Sequence, residues 1–129
     1  MTPLGLLDGI RVLDLGTEVS GPFCAKLLAD YGADVIKVEL PGNGDPSRRM
    51  GPFAGDDPHP EKSIPFLYIN TNKRGVTLDT RSATGRGLLE AMLRTADVLV
   101  ENVPPAQVGE FGLDYAELTR NNPGLVVTS

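Results

Sequence analysis

Five short apolar runs, each about the length of a strand, are spaced along the chain. Between them, apolar residues recur every three or four positions, which is typical of helices packed against a core. This alternation predicts an α/β fold with a Rossmann-like parallel sheet and helices on both of its faces. The runs cover residues 10–15, 35–38, 76–78, 98–100 and 125–128.

The first helix is predicted from residues 20 to 31. Pro22 suits the first helical position, and Ser20 or Gly21 would cap the helix. Gly32 would end it in a left-handed conformation. We expect its large apolar residues to form the stripe that faces the core. They are Phe23, Cys24, Leu27, Leu28 and Tyr31.

A second long helix is predicted after residue 82, capped by Thr80 or Ser82. Its expected core stripe is Leu88, Leu89, Met92, Leu93 and Ala96. A short helix should cover residues 115–120. In contrast, residues 39–65 have no apolar period and are rich in Pro, Gly, Asp and Asn, which predicts a long irregular segment.

Length and composition restrict the classes of protein to consider. The 129 residues suffice for one domain, residues 1–129. The net charge of -5 argues against a nucleic-acid partner. No apolar run is long enough to cross a membrane, and residues 1–4 lack the charged start of a signal peptide, so we expect a cytoplasmic protein. The single cysteine excludes an internal disulfide and a cysteine-based zinc site.

Ligands of parallel α/β sheets bind beyond the carboxyl ends of the strands. Here the segments at those ends are residues 16–21, 39–45, 78–81 and 101–105, and we expect them to form one crevice. The first segment contains only two glycines, Gly16 and Gly21, so it matches neither a dinucleotide-binding fingerprint nor a P-loop. Glu39 lies at a suitable distance for a ribose contact, which keeps a dinucleotide as a weaker alternative.

Single residues with chemical potential have plain structural interpretations. Cys24 is expected to be a small buried hydrophobe, and His59 is an isolated histidine in an acidic loop, a poor metal site. Lys37 should pack its stem and expose its amine. Asp14 fits a structural hydrogen-bond acceptor as well as a functional group. No nucleophile–base pair is evident, and we predict no metal site.

Three cations surround the third apolar run. Lys73 and Arg74 precede it, at the end of the strand opposite the expected crevice, so we interpret them as part of a solvated turn. Arg81 follows the run at the crevice end. A guanidinium pairs well with phosphate oxygens, so Arg81 is the better candidate for an anionic ligand.

Several segments in order resemble the family III CoA-transferases, a group that includes formyl-CoA transferase, carnitine CoA-transferase and α-methylacyl-CoA racemase. The series runs over essentially the whole chain. Its pieces are LDGIRVLDL (7–15), SGPFC (20–24), LLADYGADVIKVE (27–39), PGNGD (41–45), NKR (72–74), ADVLVEN (96–102), FGL (111–113) with Tyr115, and NPGLV (122–126).

The resemblance implies the N-terminal, CoA-binding part of a longer subunit that forms an interlocked homodimer or is completed by another chain. In this family an aspartate attacks an acyl-CoA thioester, and CoA passes through an anhydride and a thioester to a carboxylic acid. That aspartate lies beyond residue 129, so we assign no catalytic residue. Coenzyme A is the substrate, and no cofactor is expected. Two alternatives stay open: an α-methylacyl-CoA racemase, and a non-catalytic module that binds CoA or a partner chain.

The resemblance also suggests which residues bind CoA. Val19 and Ser20 match the loop at the thioester end. Leu78, Asp79, Thr80 and Arg81 match the segment around the adenosine, with Arg81 as a phosphate partner. The loop near the pyrophosphate or pantetheine corresponds to Asn102, Val103 and Pro104.

Some positions depart from the family pattern. Leu40 and Pro104 stand where members of the family often have arginine, Ala106 replaces a frequent glycine, and Glu110 replaces a common basic residue. Fewer cations beside a polyphosphate weaken its attraction. We therefore expect the phosphates to shift towards Arg48, Arg49 or Arg81, or CoA to bind poorly.

Overall fold

A computed structural model describes residues 5–129 and contains a five-stranded sheet in which every strand pair is parallel. The expectation about a signal-peptide start concerns residues 1–4, outside this range. The strands are β1 (Arg11–Asp14), β2 (Asp34–Glu39), β3 (Arg74–Thr77), β4 (Val98–Val100) and β5 (Val126–Thr128). The helices are α1 (Ser20–Asp30), α2 (Ile64–Ile69), α3 (Ala83–Leu93) and α4 (Tyr115–Asn121). The strand order β3-β2-β1-β4-β5 is that of a Rossmann-type sheet, which confirms the predicted α/β class.

Each face of the sheet has its own apolar core, because neighbouring residues of a strand point to opposite faces. Leu13 and Leu99 pack with Leu89 of α3 and Leu118 of α4 on one face. The opposite face joins residues of three strands to α1. This second cluster consists of Val12, Val35 and Val100 with Ala25, Ala29 and Ala33. The prediction of helices on both faces is therefore confirmed.

The predicted core stripe of α1 is wrong at Phe23, Leu27 and Tyr31, whereas Cys24 and Leu28 are partly buried and pack against the core. The buried positions of this helix are Gly21, Pro22, Ala25, Lys26 and Ala29, whereas Phe23, Leu27 and Tyr31 are exposed and Cys24 is half-buried. Small residues on the sheet side let the helix lie close to the strands. The predicted cap is also wrong, because the helix begins at Ser20 and no side chain caps it. Gly32 has the expected positive φ of 103°.

The α3 prediction is largely confirmed. Ser82 caps the helix by accepting a hydrogen bond from the Gly85 amide at 3.0 Å. Leu89, Leu93 and Ala96 are buried, but Leu88 of the expected stripe is exposed.

The segment from residue 39 to 65 contains more order than its composition suggests. Two 3-10 turns occur in it, Pro46–Arg49 and Ala54–Asp56, and α2 begins within its last residues. The buried Ser63 hydroxyl donates to the Ser47 carbonyl at 2.7 Å and also contacts the Met50 carbonyl at 2.6 Å. Within residues 5–129, no helix is long and apolar enough to span a membrane.

Candidate ligand cleft

The four segments at the carboxyl ends of the strands meet, as predicted, around a cleft of about 240 Å³. Six apolar side chains form most of its walls, with Gly16, Thr17, Gly44 and Thr80 between them. An apolar cleft at this edge of the sheet is where ligands of open α/β folds bind. The apolar residues are Leu15, Val38, Leu40, Leu78, Val103 and Phe111.

Five of the nine residues that sequence suggested for ligand binding line this cleft. They are Leu78, Thr80, Asn102, Val103 and Pro104. The other four lie outside its lining: Val19 and Ser20 are exposed at the start of α1, and Asp79 and Arg81 are on either side of Thr80. Their role in binding stays a prediction.

Asn102 holds the loop between β1 and α1. Its Oδ1 accepts a hydrogen bond from the Thr17 amide at 2.8 Å. Its Nδ2 donates to the Thr17 carbonyl at 2.9 Å and to the Ser20 hydroxyl at 3.2 Å. Gly16 and Gly21 meet beneath this loop so closely that a Cβ on Gly16 would lie 2.7 Å from the Gly21 Cα. The side chain of Asn102 therefore serves mainly to fix the loop.

A network of buried charges lies below the cleft. The Lys73 Nζ contacts Asp14 Oδ2 at 2.7 Å, and the Lys37 Nζ lies 2.8 Å from Asp45 Oδ2 and donates to the Gly16 carbonyl at 2.9 Å. Asp14 in turn accepts from the Gly16 amide at 2.9 Å, as the structural interpretation allowed. The network thus joins β1, β2 and the residue that precedes β3 to the first loop.

Two predictions about these lysines are wrong. The Lys37 side chain is only 3% exposed, so its amine does not reach solvent. Lys73 is no solvated turn residue, because its side chain is 2% exposed and extends to the cleft end of β1. Arg74 does fit the surface interpretation: it is exposed and pairs with Asp34 at 2.7 Å.

A second ion pair supports the adjoining wall of the cleft. Arg48 contacts both carboxylate oxygens of Glu39, at 2.7 and 2.8 Å, and also reaches Glu61 at 3.0 Å. Its guanidinium carbon lies 3.8 Å from the centre of the Phe66 ring. Arg48, proposed from sequence as a phosphate partner, is thus engaged by two carboxylates.

The local fields act on three titratable groups of these clusters. Burial alone would raise the pKa of Asp45, but the charge of Lys37 and the hydrogen bonds to Asp45 lower that pKa below its ordinary value. At Glu39, burial alone would likewise raise the pKa, but the hydrogen bond and the charge of Arg48 lower it below the ordinary value. Burial lowers the pKa of Lys73, and the charge of Asp14 offsets this only in part.

Sequence reasoning missed the role of Asp45. Besides pairing with Lys37, it accepts hydrogen bonds from the amides of Glu18 at 3.1 Å and Ser47 at 2.8 Å. Glu18 has a positive φ of 60°, so Asp45 helps to hold an unfavourable backbone conformation. In the sequence, Asp45 is marked only by its position at the end of the PGNGD segment, and polar residues are common in loops, so this position does not indicate a buried partner for Lys37.

The remaining candidates have no catalytic arrangement. His59 is exposed, and its Nδ1 accepts from the Glu61 amide at 3.1 Å. Cys24 is half-buried beside the α1 core. In the part of the chain that the structure describes, no group of His, Cys, Asp and Glu is arranged to hold a metal ion.

Fold and cleft together define a Rossmann-type domain with a ligand site at its strand ends. Comparison with known proteins then specifies the class. The family model for CoA-transferase family III matches residues 7–129, and the chain belongs to that family.

Its relatives have closely related names. The formyl-CoA:oxalate CoA-transferase of Rhodopseudomonas palustris (strain TIE-1) is 46% identical over 123 residues, which cover 95% of this chain and 28% of that protein. The succinyl-CoA–D-citramalate CoA-transferase of Chloroflexus aurantiacus is 40% identical over 121 residues, covering 94% of this chain and 29% of that protein. A crystal structure of a CAIB/BAIF family protein from Brucella suis superposes with a TM-score of 0.86 at 38% identity, over 97% of this chain and 33% of that one.

The chain therefore spans about 28% of the length of the first of these curated relatives. The family assignment made from the sequence motifs is confirmed.

Proposed function

We propose that this chain forms the CoA-binding part of a CoA-transferase that moves CoA from an acyl-CoA to a carboxylic acid. Membership of the family supports the reaction class, and the relatives reported above are named as transferases, which favours transfer over racemisation. The observation that carries the binding proposal is the apolar cleft at the carboxyl edge of the sheet.

In the proposed arrangement, CoA contacts the cleft through Leu78, Thr80, Asn102, Val103 and Pro104. Val19 and Ser20, at the start of α1, border the thioester end. Asp79 and Arg81 border the solvent-facing part of the ligand beside Thr80. The acyl group and the accepting acid are not specified by these contacts, because the apolar walls select for shape and low polarity rather than for a particular carboxylate.

The proposed chemistry is attack of an aspartate on the thioester, giving a mixed anhydride and free CoA thiolate, followed by CoA thioester intermediates. The two aspartates below the cleft are unsuited to this attack. Asp14 and Asp45 are buried and each lies within 2.8 Å of a lysine nitrogen. We therefore assign the nucleophile to neither, and the proposal places it outside this chain.

The same proposal includes a homodimer or a completing chain, in the cytoplasm, with no cofactor other than the CoA thioester used as substrate. A non-catalytic module that binds CoA or a partner chain remains the alternative, favoured by the loss of cations at Leu40, Pro104 and Glu110 relative to the family pattern. Expression of the chain together with the segment that follows in its relatives, and an assay for CoA transfer, would distinguish the two.

The binding proposal can be tested with two exposed prolines. Pro104 lines the cleft and precedes the 3-10 turn Pro105–Gln107, a position that aspartate also favours. Pro123 lies at the opposite edge of the sheet, just before β5. In calorimetric titration with CoA, we expect Pro104→Asp to weaken binding at least about tenfold, or 1.4 kcal/mol, and Pro123→Asp to leave it unchanged. Equal affinities for the two variants would contradict binding in the cleft.

A further inference from the structure

Within the part of the chain that the structure describes, the lining of the cleft contains no lysine or arginine, and its two charged residues, Glu39 and Asp45, are both acidic. A site that grips a polyphosphate normally presents guanidinium or ammonium groups, or free backbone amides, to the phosphate oxygens. No side chain in the described lining carries a guanidinium or an ammonium group.

Two cations next to lining residues of the cleft are already neutralised. Lys37 lies 2.8 Å from Asp45, and Arg48 is paired with Glu39 and Glu61. Glu101, at the end of β4, adds a buried carboxylate that has no salt bridge within the described residues. The charges around the cleft floor therefore give no net attraction for an anion.

The first turn of α1 does not line the cleft either, because Ser20, Gly21, Pro22 and Phe23 all lie outside its lining. In Rossmann-type domains the pyrophosphate commonly sits on the amides at the first helix N-terminus. Here Pro22 removes one amide, and the Asn102 side chain bonds the Thr17 amide and carbonyl and the Ser20 hydroxyl. The amide of Phe23 is bonded to the Val19 carbonyl at 2.8 Å.

Three further arginines lie on the surrounding loops and helix. Arg81 is 63% exposed and 3.3 Å from Asp79. Arg49 is exposed and donates to the Asn43 carbonyl at 2.9 Å, and the half-buried Arg86 donates to the Glu110 carbonyl at 2.8 Å. None of them lines the cleft. Contacts between exposed charges are weak, so Arg49 and Arg81 contribute little to affinity.

We infer that the cleft binds CoA through an uncharged part of the molecule and leaves the phosphates in solvent. This inference rests on the proposed function. It predicts a ligand preference that sequence reasoning did not: the 3′-phosphate of CoA adds little to affinity, and binding depends weakly on salt. The expectation that Arg81 is a phosphate partner predicts the opposite.

The test is calorimetric titration of the chain with CoA and with 3′-dephospho-CoA at low and at high sodium chloride. We expect the two dissociation constants to agree within about fivefold, and each to change by less than about fivefold with salt, because binding through uncharged atoms forms no ion pair that salt could screen. If CoA binds more than fivefold more tightly than 3′-dephospho-CoA, or if its affinity falls steeply with salt, the inference is wrong but the proposed function stands. Binding of neither compound would overturn the proposed function and this inference with it.

A matched pair of variants tests the role of the surface cations. Arg81 lies beside Thr80 at the cleft end of β3, whereas the exposed Arg94 ends α3 at the other end of the helix. Because Arg81 borders the solvent-facing part of the ligand without contacting the 3′-phosphate in this arrangement, we expect Arg81→Ala to change the affinities for CoA and for 3′-dephospho-CoA by the same factor, and Arg94→Ala to change neither by more than about fivefold. A larger loss for Arg81→Ala that is absent with 3′-dephospho-CoA would identify a 3′-phosphate grip and overturn the inference.

Discussion

A buried lysine is costly unless a carboxylate compensates its charge. Lys37 and Lys73 meet this condition through Asp45 and Asp14, and their hydrogen bonds to the carbonyls of Gly16 and Pro22 satisfy further donors. The network therefore fixes the loop between β1 and α1, one wall of the cleft. Each member depends on the others, because removing one leaves an opposite charge buried alone.

The first stability prediction follows from this dependence. Lys37→Met keeps the length of the stem but leaves Asp45 buried without its cation. We expect a loss of about 3–5 kcal/mol in the free energy of unfolding, measured by urea denaturation. Lys62→Met is the matched control, since Lys62 pairs with Asp57 on the surface and such a pair contributes at most about 1 kcal/mol. Similar losses for both variants would contradict the structural role of the network.

Single-residue environments were the least predictable part of the site. The sequence located Asp14 and Lys37 in strands and Lys73 in a turn, but the partner of each lies far away in the chain: Lys73 and Asp14 are separated by 59 positions. No local pattern encodes such a pair. By contrast, Leu78, Thr80 and Asn102 were located correctly at the cleft, because the carboxyl ends of parallel strands must meet at one edge.

At the scale of elements, two glycines of α3 show how sequence and packing are related. A Cβ added to Gly85 would lie 1.9 Å from the Asp79 carbonyl oxygen, whereas one added to Gly87 would have no atom within 4 Å. Gly85 thus lets the start of α3 pack against the segment that carries Thr80. Gly87 has no such contact and only weakens the helix.

Substitutions at these two glycines of one helix should change the stability of the chain in opposite directions. Gly85→Ala must displace the segment at Asp79, so we expect it to destabilise the chain by at least about 1–3 kcal/mol, as overpacking does. Gly87→Ala should stabilise the chain by about 0.5–1 kcal/mol, because alanine loses less backbone entropy in a helix. Thermal unfolding followed by circular dichroism distinguishes the two. A Gly85→Ala variant as stable as Gly87→Ala would disagree with the close packing at Asp79.

Helix periodicity correctly located α1 and α3 but could not decide which stripe of α1 faces the sheet. Two stripes have the same spacing along this helix. One contains large residues, Phe23, Leu27 and Tyr31, and the other contains small ones, Ala25 and Ala29. The small stripe is buried because it permits close approach of the helix to β1, β2 and β4. Hydrophobicity alone favoured the stripe of large residues, because a pattern of apolar positions does not show how closely a helix can approach the sheet.

For the whole molecule, burial of the small stripe of α1 leaves large apolar side chains exposed, and together with those of α2 they form an apolar surface. Phe23, Leu27 and Tyr31 are exposed along α1, and Leu67 and Tyr68 are exposed on α2. The two helices are neighbours, since the Lys26 ammonium lies 5.0 Å from the centre of the Tyr68 ring. Several large apolar side chains together on one surface mark an interaction site more often than isolated ones do.

The last prediction concerns this surface, which we expect to pair with a second copy of the chain, in line with the proposed homodimer. Sedimentation velocity should detect association that increases with protein concentration, because contact between two such surfaces removes apolar area from water. Leu27→Glu should shift the chain towards monomer, since it introduces a charge at the centre of the α1 stripe. Leu88→Glu is the control, because Leu88 is a similarly exposed leucine on α3. A chain that stays monomeric at every concentration, or equal effects of the two substitutions, would exclude the α1–α2 surface as the contact between copies.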